Sequence, residues 1–202
     1  MLAVIDYGAG NLRSVVHALK HLDVPDMKIV KSPDELSGAD KIILPGVGAF
    51  GAGMEQMRKQ GLVDPVREAV SKGVPYLGIC VGMQMLFDVG EEMGEHEGLG
   101  ILPGRVVRFP EFTDRKVPHM GWNQLSVNKQ SALLDNLREE NYAYFVHSYY
   151  CAPDNPDDIL AVVDYGIEFT AIVQRDNIYG VQFHPEKSQA TGLRILSNFL
   201  KL

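Results

Sequence analysis

Cys80 stands in the run Gly78-Ile79-Cys80-Val81-Gly82, directly behind the apolar stretch Val74-Pro75-Tyr76-Leu77. A nucleophile with a glycine two residues to either side, between a strand and a helix, is the pattern of a sharp elbow, here with sulfur in place of a hydroxyl. The elbow strains the nucleophile's backbone, and the glycines relieve clashes around the turn. The sulfur then meets a helix N-terminus, where free N–H groups and the macrodipole favour thiolate over thiol. From the same place the N–H of Val81 would face a developing oxyanion. A free cysteine on its own is more often a buried structural residue. The reading therefore depends on partners elsewhere in the chain.

Candidate partners lie far downstream, in Tyr179-Gly180-Val181-Gln182-Phe183-His184-Pro185-Glu186. The run begins as an alternating strand, with Val181 and Phe183 on one side and Gln182 and His184 on the other. Extended backbone, which a following proline favours, would put His184 and Glu186 on one face. A carboxylate there fixes the imidazole tautomer and stabilises the imidazolium that forms when the ring takes a thiol proton. His-Pro-Glu alone is a weak signal. Joined to a cysteine elbow, it points to nucleophilic catalysis by a Cys80–His184–Glu186 triad.

Two glycine turns remain. Gly46-Val47-Gly48-Ala49-Phe50-Gly51 matches the dinucleotide fingerprint G-x-G-x-x-G, but it follows the third strand, whereas the fingerprint belongs after the first. Gly8-Ala9-Gly10-Asn11 does follow the first strand and lacks the third glycine. Both turns are better read as loops beyond the carboxyl ends of parallel strands, where ligands of such sheets bind. Glycines on either side of Val47 would let its peptide turn over.

The elements that must position these residues can be read from periodicity. Strands are expected at 2–5, 27–30, 41–44 and 75–79, with helices at 12–22 and 54–70, the latter broken near Gly61 and Pro65, and a helix opening at 83–87. This β-α alternation predicts a parallel sheet. Six closely spaced β-rich runs follow, at 105–109, 121–127, 142–149, 159–164, 170–174 and 178–183, before a closing helix at 191–202. The expected fold is α/β: a flavodoxin-like, mostly parallel central sheet with helices on both faces and an antiparallel β extension from the second half. No repeat, linker or low-complexity tract interrupts residues 1–202, which reads as a single domain.

Composition is that of a globular protein, with 46% hydrophobic and 22% charged residues over 202 positions. A net charge of −7 argues against nucleic acid, which needs clustered Lys and Arg. The leading apolar run is too short for a signal core or a membrane span, so the expectation is a cytoplasmic protein with no membrane partner. Cys80 and Cys151 are the only cysteines; Cys151 has no acid–base neighbour in sequence and reads as structural. His17, His21 and His96 form no metal-ligand spacing, so neither a metal nor a cofactor is expected.

Gly78-Ile79-Cys80-Val81-Gly82-Met83-Gln84 with the distant His184-Pro185-Glu186 resembles the class I (triad) glutamine amidotransferase family over essentially the whole chain. The resemblance implies L-glutamine as substrate, a γ-glutamyl thioester on Cys80, His184 as general base and acid, and Glu186 as its orienter. It places an oxyanion hole at Val47, Gly48 and Val81. Substrate contacts would come from Gln84, from Glu92 at the glutamine α-amino group, and from the segment His147-Ser148-Tyr149. Three further segments, 6–15, 45–50 and Pro118-His119-Met120-Gly121-Trp122-Asn123, resemble the branch serving imidazole glycerol phosphate synthase. That branch implies a separate (β/α)8-barrel cyclase as heterodimer partner, since 202 residues leave no room for a barrel. Asn11, Met120, Trp122, Asn123 and Lys187 would meet it, Met120 and Trp122 as apolar anchors. A glutaminase serving anthranilate or aminodeoxychorismate synthesis stays open, as does a binding module without catalysis.

Overall fold

In the computed structural model, which describes residues 1–8, 11–138 and 140–202, the chain alternates strands and helices through its first half. Ala9 and Gly10 of the first glycine turn lie outside the described residues. In order come β1 (Leu2–Ile5), α1 (Leu12–His21), β2 (Met27–Val30), α2 (Pro33–Leu36), β3 (Lys41–Gly46), α3 (Phe50–Lys59), α4 (Val63–Ser71), β4 (Tyr76–Cys80) and α5 (Val81–Gln84). The second half is β5 (Phe87–Gly90), β6 (His96–Glu97), β7 (Leu102–Arg108), β8 (His119–Gln124), β9 (Ser126–Val127), β10 (Tyr142–His147), β11 (Tyr149–Pro153), β12 (Ile159–Asp164), β13 (Glu168–Arg175), β14 (Ile178–Val181) and α6 (Gln189–Lys201).

Ten strands line up as β2-β1-β3-β4-β14-β13-β11-β7-β5-β6, and β12 and β9 branch from β13. The run from β2 to β14 is parallel, whereas β13 runs antiparallel to β14, β12 and β11. Every residue of β1 and β4 is buried, as expected of parallel strands covered on both faces. The expected α/β architecture with its antiparallel extension is thus present.

Where the elements differ from expectation, local chemistry explains why. The helix expected at 54–70 is two helices. Gly61, at φ +69, turns the chain between them, and Pro65 sits in the first turn of α4, where its missing N–H is not needed. The helix expected at 83–87 stops at Gln84, and Phe87 opens β5. The backbone carbonyls of Met85, Leu86 and Phe87 accept N–H groups from Leu99, Gly100, Ile101 and Leu102, so the following chain claims them. The strand expected at 142–149 is split at Ser148. β10 pairs with β8 in a separate two-stranded sheet, with Tyr144 opposite Trp122 and His147 opposite His119, while β11 joins the large sheet beside β7. Likewise 121–127 is not one strand: β8 starts at His119, and β9 belongs to the other sheet through β12. α2 was not expected, although Ser32, Pro33, Asp34 and Glu35 spell a helix start.

Candidate active site

The elbow is present, and its strain is measurable. Cys80 ends β4 with φ +55 and ψ −112, a left-handed conformation rare for a residue with a side chain, and α5 starts at the next residue. Sterics dictate both flanking glycines. A Cβ on Gly78 would lie 2.4 Å from the Gly82 carbonyl oxygen, and one on Gly82 would lie 1.8 Å from that of Leu44. No side chain fits either contact. Across the parallel ladder Gly46 stands opposite Cys80, so the glycine loop after β3 emerges beside the sulfur.

Sheet order brings in the base. β14 lies next to β4 in parallel register, Val181 opposite Ile79, so both strands release their chains at the same edge. His184 then borders the same cleft as Cys80, near enough for the sulfur to favour a charged ring. Its Nδ1 lies 3.0 Å from Glu186 Oε1, leaving Nε2 for the sulfur. The strand ends at Val181, and Glu186 sits in a 3-10 turn, Pro185–Lys187, so the carboxylate reaches the ring around a turn and not along extended backbone. Ser188 secures that turn through its Oγ, which donates to the His184 carbonyl at 2.7 Å.

Electrostatics place a proton on the ring. Burial disfavours the charged imidazole, but the hydrogen bonds and charges of Cys80 and Glu186 outweigh it and raise His184 to about 10. At neutral pH an imidazolium therefore faces the sulfur before any substrate arrives. The Glu186 side chain, 1% exposed, also accepts a hydrogen bond from Asn11 Nδ2 at 3.1 Å, and Asn11 in turn accepts one from Ser14 Oγ at 2.7 Å. Asn11, expected to meet a partner, thus also holds the carboxylate.

Sequence reasoning placed Gln182 on the His184 side and gave it no role. Fully buried, it donates Nε2 to Cys80 Sγ at 3.8 Å and accepts from Gln84 Nε2 at 3.2 Å. Gln84 also donates to the Tyr149 carbonyl, which accepts Nδ1 of His147 at 2.8 Å. His147 Nε2 must then be an acceptor, and His119 Nδ1 donates to it at 3.1 Å. Burial lowers both histidines, His147 to about 3 and His119 to about 4, so this line is neutral. The strand alternation that set Gln182 beside His184 was the signal that could have found it.

A cavity of about 470 Å³ opens above the sulfur, lined by Val47, Gly48, Cys80, Val81, Gln84, Glu92, His147, Ser148, Tyr149, His184 and Lys187. Every expected catalytic, oxyanion and substrate residue borders it except Glu186, which lies behind the imidazole. Glu92 Oε2 accepts the N–H of Phe50 at 2.9 Å, capping α3 directly after the glycine loop. Among the expected partner residues, Met120 and Trp122 are exposed at 63% and 46%. Asn123 is tied to its own chain through the Asp164 carbonyl, and Lys187 Nζ stands 6.0 Å above the Tyr144 ring. Cys151 is fully buried, and burial pushes its thiol up. Among the described residues, no group of three or more His, Cys, Asp or Glu is placed to hold a metal ion, and no helix is long and apolar enough to cross a membrane.

The family model described as glutamine amidotransferase class-I matches residues 3–202. The chain belongs to that family. Among similar amidotransferases, a protein of Desulfitobacterium hafniense (strain Y51) is 53% identical over 201 residues, covering 100% of this chain and 94% of its own. One of Salinibacter ruber is 48% identical over 207 residues, covering 100% and 94%. Both are named imidazole glycerol phosphate synthase subunit HisH. A solved glutamine amidotransferase superposes with a TM-score of 0.77 at 24% identity, covering 98% of this chain and 97% of that one. At that identity it speaks for the amidotransferase fold alone.

Proposed function

We propose that this chain is the glutaminase subunit of an imidazole glycerol phosphate synthase, hydrolysing L-glutamine through Cys80 and passing ammonia to a separate barrel cyclase. The observation that carries the chemistry is the ion-paired His184 ring between the strained Cys80 and the buried Glu186. The full-length likeness to subunits of that name supports the pathway.

The sulfur attacks the γ-carboxamide carbon, and the carbonyl electrons move onto oxygen. The N–H groups of Val81 and Val47, in the loop that Gly48 closes, stabilise that oxyanion. As the carbonyl re-forms, His184 gives its proton to the departing nitrogen, and ammonia leaves a γ-glutamyl thioester. The now neutral imidazole takes a proton from water, which attacks the thioester. Glutamate departs, and the sulfur and imidazolium are restored. Gln84 and the Tyr149 segment hold the substrate, and the Glu92 oxygen not engaged with Phe50 receives its ammonium. Met120, Trp122 and Lys187 face the cyclase.

Glutamate release from glutamine is measured for the chain alone, with the cyclase and its nucleotide ligand, and with an anthranilate or aminodeoxychorismate synthase. The chain alone is expected to be slow and the cyclase to accelerate it. Activity that survives Cys80→Ala sinks the chemistry, and stimulation by a different synthase alone sinks the pathway.

A further inference from the structure

Tyr7, just past β1, is fully buried, and its hydroxyl has no hydrogen-bond partner among the described residues. Native interiors hold few such orphans because each costs free energy. The place of this one is informative. A Cβ added to Gly46 would lie 2.8 Å from the Tyr7 oxygen and 2.7 Å from the Gly82 nitrogen. The phenol therefore rests against the last residue of β3, in the wedge between the glycine loop and the elbow. Burial, and secondly the charge of Cys80, raises its pKa, so it keeps its proton. Tyr7 is a donor facing the loop without an acceptor.

The neighbouring peptide is Gly46–Val47, where β3 gives way to the glycine loop. Gly46 has no side chain to swing, Val47 is exposed at 36%, and Gly48 has φ +88. A trans peptide points its N–H and C=O in opposite directions. Aiming the Val47 N–H at the oxyanion therefore moves the Gly46 carbonyl into new surroundings, where it needs a donor. We propose that the Tyr7 hydroxyl is that donor, which makes Tyr7 the positioning residue of the oxyanion hole. The orphan in the resting chain is the unsatisfied half of a hydrogen bond that forms in the working state. This rests on the glutaminase reading above.

Tyr7→Phe, which removes only the oxygen, tests it in the complex with the cyclase. The kcat for glutamine is expected to fall about tenfold with KM held within about twofold. Affinity for L-glutamate γ-semialdehyde, whose adduct on Cys80 puts an oxygen in the oxyanion hole, falls by the same factor. Alkylation of Cys80 by iodoacetamide, which forms no oxyanion, keeps its rate. The urea midpoint of the partner-free variant stays level or rises, because an orphan has gone. An unchanged kcat, an equal loss in alkylation, or a lower urea midpoint overturns the assignment. If the wild-type complex releases no glutamate, the glutaminase reading itself fails; if it is active and Tyr7→Phe matches it, only Tyr7's role falls.

Discussion

His184 is pulled in two directions: burial strips it of charge, while Cys80 and Glu186 restore it. The balance is readable by NMR. In the wild type the ring should stay protonated until about pH 10. In Cys80→Ala its pKa should drop, because one supporting partner is gone and burial persists. A histidine titrating near its usual value in the wild type would contradict the ion pair. Because its folded pKa lies above the unfolded one, the ring's stabilising contribution is complete below about pH 6.5 and is lost as pH rises through the folded value. Replacing Glu186 by Gln keeps the shape and removes the charge; kcat should fall about a hundredfold or more, with KM little changed. A parallel rise in KM would instead place Glu186 on the substrate.

Among the elements, the elbow depends most on a missing atom. Gly82→Ala drives a methyl group into the Leu44 backbone oxygen, which cannot rotate away. The cost should be about 3 kcal/mol or more, read as a lower unfolding midpoint. An unchanged midpoint would mean that the β3–α5 contact is looser than it stands here. The elbow and the base motif were legible in the sequence because their geometry is local: glycine spacing, strand alternation, a proline. What was not legible arises between elements. Phe87 looked helical because its neighbours are apolar, but the carbonyls on either side of it bond to a segment a dozen residues on. Residues 142–149 looked like one strand because nothing in Val146-His147-Ser148-Tyr149 announces a passage from one sheet to another. The tie from Asn11 to Glu186 was not legible because a side chain's partner across the fold leaves no local trace. The fold class survived these misses because it rests on the order of strands and helices, not on their ends.

The buried neutral histidines act on the stability of the whole molecule. His119 and His147 titrate at about 4 and about 3 when folded, well below an unfolded histidine. Between those values and about pH 6.5 the unfolded chain binds protons that the native one refuses, so stability falls as pH drops through that window. Each ring should add a slope of about 1.4 kcal/mol per pH unit there. Urea unfolding from pH 7 to 4.5 measures it, and a flat profile would show that the rings are charged when folded.

The large sheet has a seam, and its position sets the order in which the molecule can become reactive. β14 is the last strand in sequence, yet it is inserted between β4 and β13, joining the parallel half to the antiparallel half. Until it slots in, the two halves share no ladder through that position and the sulfur has no imidazole. A growing chain therefore carries its thiol without an imidazole from residue 80 until residue 184 is made, and pairs the two only when β14 closes the sheet. The event that completes the scaffold is the same one that switches on the chemistry.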